Sequence, residues 1–149
     1  MRRRVGTSVA VLAGYTAISF LYFGWRLLPH PGRVLVGSPN QADPEIFVWS
    51  FAWWPHAVLH WTNPFFSHDV YAPTGVNLAW VTSVPGLAAV FSPLTLLFGP
   101  SVSYNVASIL LPAVSAWTAF LLLRYLTRST WAAAIGGYLY GFSSAVLAH

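Results

Sequence analysis

RRRVGTSVAVLAGYTAISFLYFGWRLL, residues 2–28, decides the class of this protein. Residues 5–28 hold a single charge, Arg26, near their far end, and follow directly on Arg2, Arg3 and Arg4. At about 1.5 Å per residue such a run covers the roughly 30 Å hydrocarbon core of a bilayer. Positive charge stays on the cytosolic side, so the chain is expected to begin inside and to emerge near His30 and Pro31. The run is longer than the apolar region of a cleavable signal peptide, and no small-x-small site follows it closely. Val5-Gly6-Thr7 after the arginines lacks the rest of a twin-arginine signal. An uncleaved anchor is the favoured reading.

Outward from this stretch the composition agrees. Of 149 residues 56% are hydrophobic and 7% charged, against about a quarter charged in a water-soluble domain. Further apolar blocks occupy 84–99, 102–123 and 130–148, separated by Gly99-Pro100 and by the segment from Arg124 to Thr130. The expected fold is therefore all-α: about four transmembrane helices in one membrane domain, 1–149, with a long outer loop over 30–82. Pro93 and Pro112 fall inside helices and should kink them. Gly137 and Gly141 form a G-x-x-x-G, read as ordinary helix packing. A net charge of +4 arises from seven arginines with no lysine, scattered apart from the first three, so it is read as topology and not as nucleic-acid binding. Absence of cysteine removes disulfides and thiolate chemistry. All-arginine basicity with abundant Ala, Val and Gly suggests a GC-rich bacterial genome, hence a bacterial plasma membrane with the N-terminus cytoplasmic. Four crossings would place Arg124 and Arg128 outside, against the charge rule used for the first helix. Either the short block at 84–99 is re-entrant, or these arginines meet something anionic, a lipid phosphate for instance, or they merely reach a headgroup level.

The segment 30–82 contains all three acids, Asp43, Glu45 and Asp69, four of five histidines and five of eight tryptophans. Residues 44–61 read as an amphipathic helix lying along the membrane interface. Phe47, Phe51, Trp54, Val58 and Trp61 share one face, with Glu45, Trp49, His56 and His60 roughly opposite. Pro55 should bend this helix or split it. Asp43-Pro44-Glu45 suits a helix start, with Asp as N-cap, Pro at N1 and Glu complementing the dipole. The functional reading of Asp43 is a general base acting on an acceptor hydroxyl at the lipid–water boundary. His56 and His60 stand four apart, a spacing that can share a metal. Glu45 lies roughly 16 Å from His56 along a straight helix and cannot complete such a site, so no metal site is assigned. Asp69 is read as a turn residue, or as a second carboxylate paired with Asp43. No phosphate-binding loop, dinucleotide fingerprint or serine-hydrolase elbow is present.

Asp43-Pro44-Glu45-Ile46-Phe47-Val48-Trp49 with Trp53-Trp54-Pro55-His56, then Asn63-Pro64-Phe65, then Ala72 through Trp80 (APTGVNLAW) resemble the N-terminal part of integral-membrane glycosyltransferases of the C-type superfamily, with the closest likeness to actinobacterial members. The resemblance covers most of this chain and only the front of those proteins, so the chain is expected to be part of something longer; the apolar run that stops at His149 with no polar tail points the same way. It implies sugar transfer from a polyprenyl-phosphate-linked donor, a hexosyltransferase activity, on the outer face of the membrane. By position the superfamily's base or metal-contacting acid falls on Asp43, with Glu45 and Asp69 as weaker candidates. His56, His60, Asn77, Arg124 and Arg128 are the implied substrate contacts, the arginines toward the donor phosphate. A divalent metal is the cofactor the resemblance leaves open; the expected partners are the bilayer and the lipid-linked sugar. The rival readings are a non-enzymatic transporter, flippase or assembly scaffold, and an inactive truncated fragment. The absence of acids from the later apolar blocks counts against transport.

Overall fold

A computed structural model describes residues 2–37 and 43–143, with side chains from Gly6 onward and without that of Asp43. Among these residues are α1 (Arg2–Ser19), α2 (Asp43–Leu59), β1 (Phe66–Ser67), β2 (Val76–Asn77), α3 (Pro85–Phe98), α4 (Pro100–Thr127) and α5 (Thr130–Gly141). α1 continues through a π-helical turn, Phe20–Gly24, and a 3-10 turn, Trp25–Leu27. The fold is mostly helical, and the short hairpin is an addition to the all-α expectation.

Two helical stretches are long and apolar enough to cross a bilayer, Gly6–Leu27 with 22 residues and Pro100–Thr127 with 28. About four were expected. The block at 84–99 is α3, whose 14 residues reach about 21 Å, short of a hydrocarbon core. Pro85 starts it, where a missing N–H costs nothing. Gly99 ends it at φ 90°, a conformation open to glycine, and Pro100 starts α4 immediately afterwards. The block at 130–148 is α5 as far as Gly141; residues 144–149 lie outside the described residues.

The chain divides into two compact units, Met1–Pro29 with Ala107–His149, and His30–Val106. In the first unit α1 and the later part of α4 run antiparallel. The Trp117 indole donates to the carbonyl and hydroxyl of Ser8 at 3.1 and 3.0 Å, and the Ser19 hydroxyl donates to the Ile109 carbonyl at 2.6 Å. Buried Ser19 thus directs its hydroxyl at a main-chain carbonyl of the neighbouring helix. α4 runs on through Pro112 without a break. Gly137 and Gly141 lie against Ala116 of α4: a Cβ on Gly141 would stand 2.6 Å from the Ala116 Cα and N, and one on Gly137 2.6 Å from its carbonyl oxygen. The G-x-x-x-G is thus a packing face within the chain. Tyr15, Ala113, Ala116, Phe120, Ala133 and Phe142 form the core, and the Tyr15 hydroxyl donates to the Ala134 carbonyl at 2.6 Å.

In the second unit α2 packs on α3, with Phe51 meeting Phe91 edge-on at 5.8 Å. Pro55 does not split α2. Phe51 and Trp54 are buried as the amphipathic pattern requires, and Phe47 stacks on Tyr104 with centroids 6.4 Å apart. Val58 and Trp61 depart from it, at 62% and 96% exposed. α2 ends at Leu59, and Trp61 sits at φ 54°, so the helical phase that would have turned it inward is lost. The apolar stripe therefore meets protein over its first turns instead of lying wholly on lipid. β1 pairs antiparallel with β2, Phe66 opposite Asn77 and Ser67 opposite Val76. Asn105 fastens the start of the unit: its side-chain NH2 donates to the Pro31 and Val34 carbonyls at 2.8 and 2.7 Å, while its Oδ1 accepts from the Val36 N–H at 2.9 Å. The Tyr104 hydroxyl donates to the Val36 carbonyl at 3.0 Å.

Candidate functional site

The polar residues singled out in the sequence belong to both units. Asp43 opens α2, but its side chain lies outside the described residues, so neither its capping role nor a pairing with Asp69 is described. Glu45 follows on the exposed face of the same helix. Farther along that face an aromatic ladder rises at spacings of three and four residues, the spacing at which helical side chains meet. Trp49 and Trp53 stack at 5.6 Å with planes 12° apart, Trp53 and His56 lie 6.3 Å apart, and His56 and His60 stack at 4.0 Å. The Trp53 indole is pinned by donating to the Pro64 carbonyl at 2.9 Å. His60 Nδ1 lies 2.8 Å from the His56 carbonyl oxygen. A carbonyl can only accept, so Nδ1 is the donor in this contact. Among the described residues no third His, Asp or Glu gathers with this pair to complete a metal site.

Asp69 stands exposed at the closed end of the hairpin, where its backbone N–H donates to the Ser67 hydroxyl at 3.2 Å. That is the local bonding of a turn. Asn77 also does turn work: its Oδ1 accepts from the Ala79 N–H at 2.9 Å and its carbonyl from the Trp80 N–H at 3.1 Å. The same Oδ1 keeps a second lone pair for a ligand on its exposed side. Ser50 Oγ and Trp54 Nε1, one helical turn apart on the buried side of α2, have no hydrogen-bond partner among the described residues.

Arg124 and Arg128 belong to the first unit and line a cavity of about 790 Å³ together with Leu121, Tyr125, Leu126 and Thr130. The Arg124 guanidinium carbon lies 5.7 Å from the centre of the Phe120 ring, a cation–π placement. Arg128 ends α4 at φ 56°, with its N–H donating to the Arg124 carbonyl at 3.1 Å, and the Ser129 hydroxyl then caps α5 by accepting from the Ala132 N–H at 3.4 Å. The described structure thus brings the two arginines together, brings the two histidines together, and leaves Glu45 and Asp69 exposed without an ion pair among the described residues.

Sequence reading missed Asn105, although a carboxamide within an apolar block is a detectable signal. It also missed Tyr125, Leu121 and Leu126 as cavity walls, for which no motif exists. No protein-family model, curated protein or solved structure matches this chain.

Proposed function

We propose that this protein is a membrane glycosyltransferase acting on a polyprenyl-phosphate-linked sugar, with the acid-bearing segment after the first crossing helix as its chemical side. The observation that carries this reading is that His30–Val106 is a compact unit in its own right, not a slack connection between two long apolar helices. Loops that carry function stand on such rigid supports. This unit contains every acid of the chain and the Trp49–Trp53–His56–His60 ladder, whose flat aromatic faces suit the C–H faces of a sugar.

In the proposed reaction the Asp43 carboxylate takes the proton of the acceptor hydroxyl while that oxygen bonds to the anomeric carbon. The bond from that carbon to the phosphate oxygen breaks, and polyprenyl phosphate departs with the electron pair. α1 and α4, as antiparallel crossings, bring Arg124 and Arg128 to the end of the pair at which Arg2–Arg4 begin. That arrangement satisfies the positive-inside bias that four crossings would violate, and this reading places all five arginines on the cytosolic side. It therefore withdraws Arg124 and Arg128 from an outer-face reaction and rests the transfer on Asp43.

Membranes carrying the longest natural form, supplied with polyprenyl-phosphate sugars, test the reading. Asp43→Asn should lower transfer by about 10²–10⁴-fold, the usual contribution of a general base, while insertion is unchanged. Undiminished transfer by that variant removes Asp43, and no transfer by the unaltered protein removes the enzyme reading.

A further inference from the structure

We infer that the exposed face of α3 is a lipid contact: the hydrocarbon of the bilayer covers it, and α3 is embedded in the membrane without crossing it. This holds with or without transfer chemistry.

The placement of side chains is the first reason. Gly86, Val90, Pro93 and Leu97 follow one another at helical spacing and form one stripe, flanked by Ala89 and Leu96. All six are exposed, Val90 at 73% and Leu97 at 76%, and every exposed position of α3 is apolar. The two hydroxyls of the helix, Ser92 and Thr95, stand off the stripe. Thr95 is buried and donates to the Ser103 hydroxyl at 2.9 Å, which in turn donates to the Gly99 carbonyl at 3.3 Å. A helix whose outer side met water would carry polar residues there.

The main chain is the second reason. Pro93 has no N–H to give the Ala89 carbonyl four positions back, and the Ser92 hydroxyl donates to that oxygen at 2.8 Å. Water would satisfy such a carbonyl unaided. In lipid the chain itself must do so, and a neighbouring hydroxyl is the usual means beside a proline.

The setting of α3 is the third reason, and it selects lipid as the occupant. Gly99 alone separates α3 from α4, a 28-residue helix long and apolar enough to cross a bilayer. No charged residue or histidine stands between Asp69 and Arg124. The 14 residues of α3 reach about 21 Å, short of the roughly 30 Å hydrocarbon core, so the helix enters that core only in part. Exposed Trp80, in the turn that leads to α3, is of the residue type that settles at the lipid–water boundary. A protein partner, a second copy of this chain included, is held by hydrogen bonds and a polar rim, and the stripe offers neither; lipid chains need neither.

The chain has no cysteine, so a nitroxide label can be placed at single positions of the full chain in vesicles of phosphatidylcholine and phosphatidylglycerol. Val90→Cys and Leu97→Cys carry the label on the stripe, and Glu45→Cys carries it on the exposed side of α2. Oxygen concentrates in hydrocarbon and a neutral nickel chelate stays in water, so the ratio of their collision rates with the label reports its surroundings. That ratio should be several-fold higher at positions 90 and 97 than at 45. Ala89→Cys and Leu96→Cys repeat the measurement on the flanks of the stripe, so that one poorly folded variant does not decide the result. Ratios on α3 equal to that at 45 put the stripe in water and overturn the inference. Slow collision with both reagents means that protein covers the stripe, and overturns lipid as its occupant.

Discussion

The two units hold themselves together by different chemistry. Where α1, α4 and α5 meet, an aromatic cluster of Tyr15, Phe120 and Phe142 is joined by small residues and by hydroxyls bonded to main-chain carbonyls: Gly137 and Gly141 on Ala116, Ser19 on Ile109, Tyr15 on Ala134. In His30–Val106 packing relies on aromatic faces, Phe51 on Phe91 and Phe47 on Tyr104, and on the Asn105 carboxamide holding an irregular strand of backbone. The difference follows the composition of each unit. Between helices long and apolar enough to cross a bilayer, close backbone approach and satisfied carbonyls are the contacts that a bilayer setting favours. A segment with loops, turns and polar faces must instead bury its apolar side chains and pair its loop backbone.

Three variants would break or sharpen this contrast. Gly141→Leu has the largest expected effect. Its side chain would collide with the backbone of Ala116, not with a movable side chain, and the cost should reach about 3 kcal/mol or more, at the upper end of overpacking. Denaturant titration of the purified chain should show this as loss of α5 docking, with the α2–α3 unit unaffected. A comparable loss of structure in both units would erase the distinction. Asn105→Ala comes next, at about 2 kcal/mol, because it leaves two carbonyls and one N–H unpaired. Hydrogen exchange should rise at Val36, where the N–H is bound, and stay unchanged in α5. Ser50→Ala should have the smallest effect, within about 0.5 kcal/mol or slightly stabilising, since it removes a buried hydroxyl that has no partner among the described residues. A marked destabilisation would mean that this hydroxyl is in fact bonded, and that the second unit has a polar core as well as an aromatic one.

Much of the helical layout was legible because its signals are local. Gly99-Pro100 marked the junction of α3 and α4, the apolar block from 130 the start of α5, and Asp43-Pro44 the start of α2. Phe51 and Trp54 were placed correctly by helical phase, and Trp61 was not, because phase ends where the chain turns at φ 54°. Among the described residues two helices are long and apolar enough to cross a bilayer, against the four or so expected from apolarity. α3 packs on α2 yet leaves Val90, Leu96, Leu97 and Phe98 exposed, and its 14 residues reach about 21 Å. Among the site residues, Asp69 and Asn77 proved to make turn bonds, which their turn-rich neighbourhood already suggested.

The amino-acid sequence by itself determined that this is a helical protein with stretches long and apolar enough to cross a bilayer, and that its acids lie in one segment. Those properties depend on composition and on neighbours within a few positions. Only the tertiary structure decided that α1 and α4 run antiparallel, that Gly141 rests on Ala116, that Asn105 clasps residues 31–36, and that Arg124 and Arg128 share a cavity. Ser8 and Trp117 are 109 positions apart, and Asn105 lies 74 from Pro31. Pairings over such separations are chosen by steric fit and by the need to satisfy buried polar groups, which no local pattern of residues encodes.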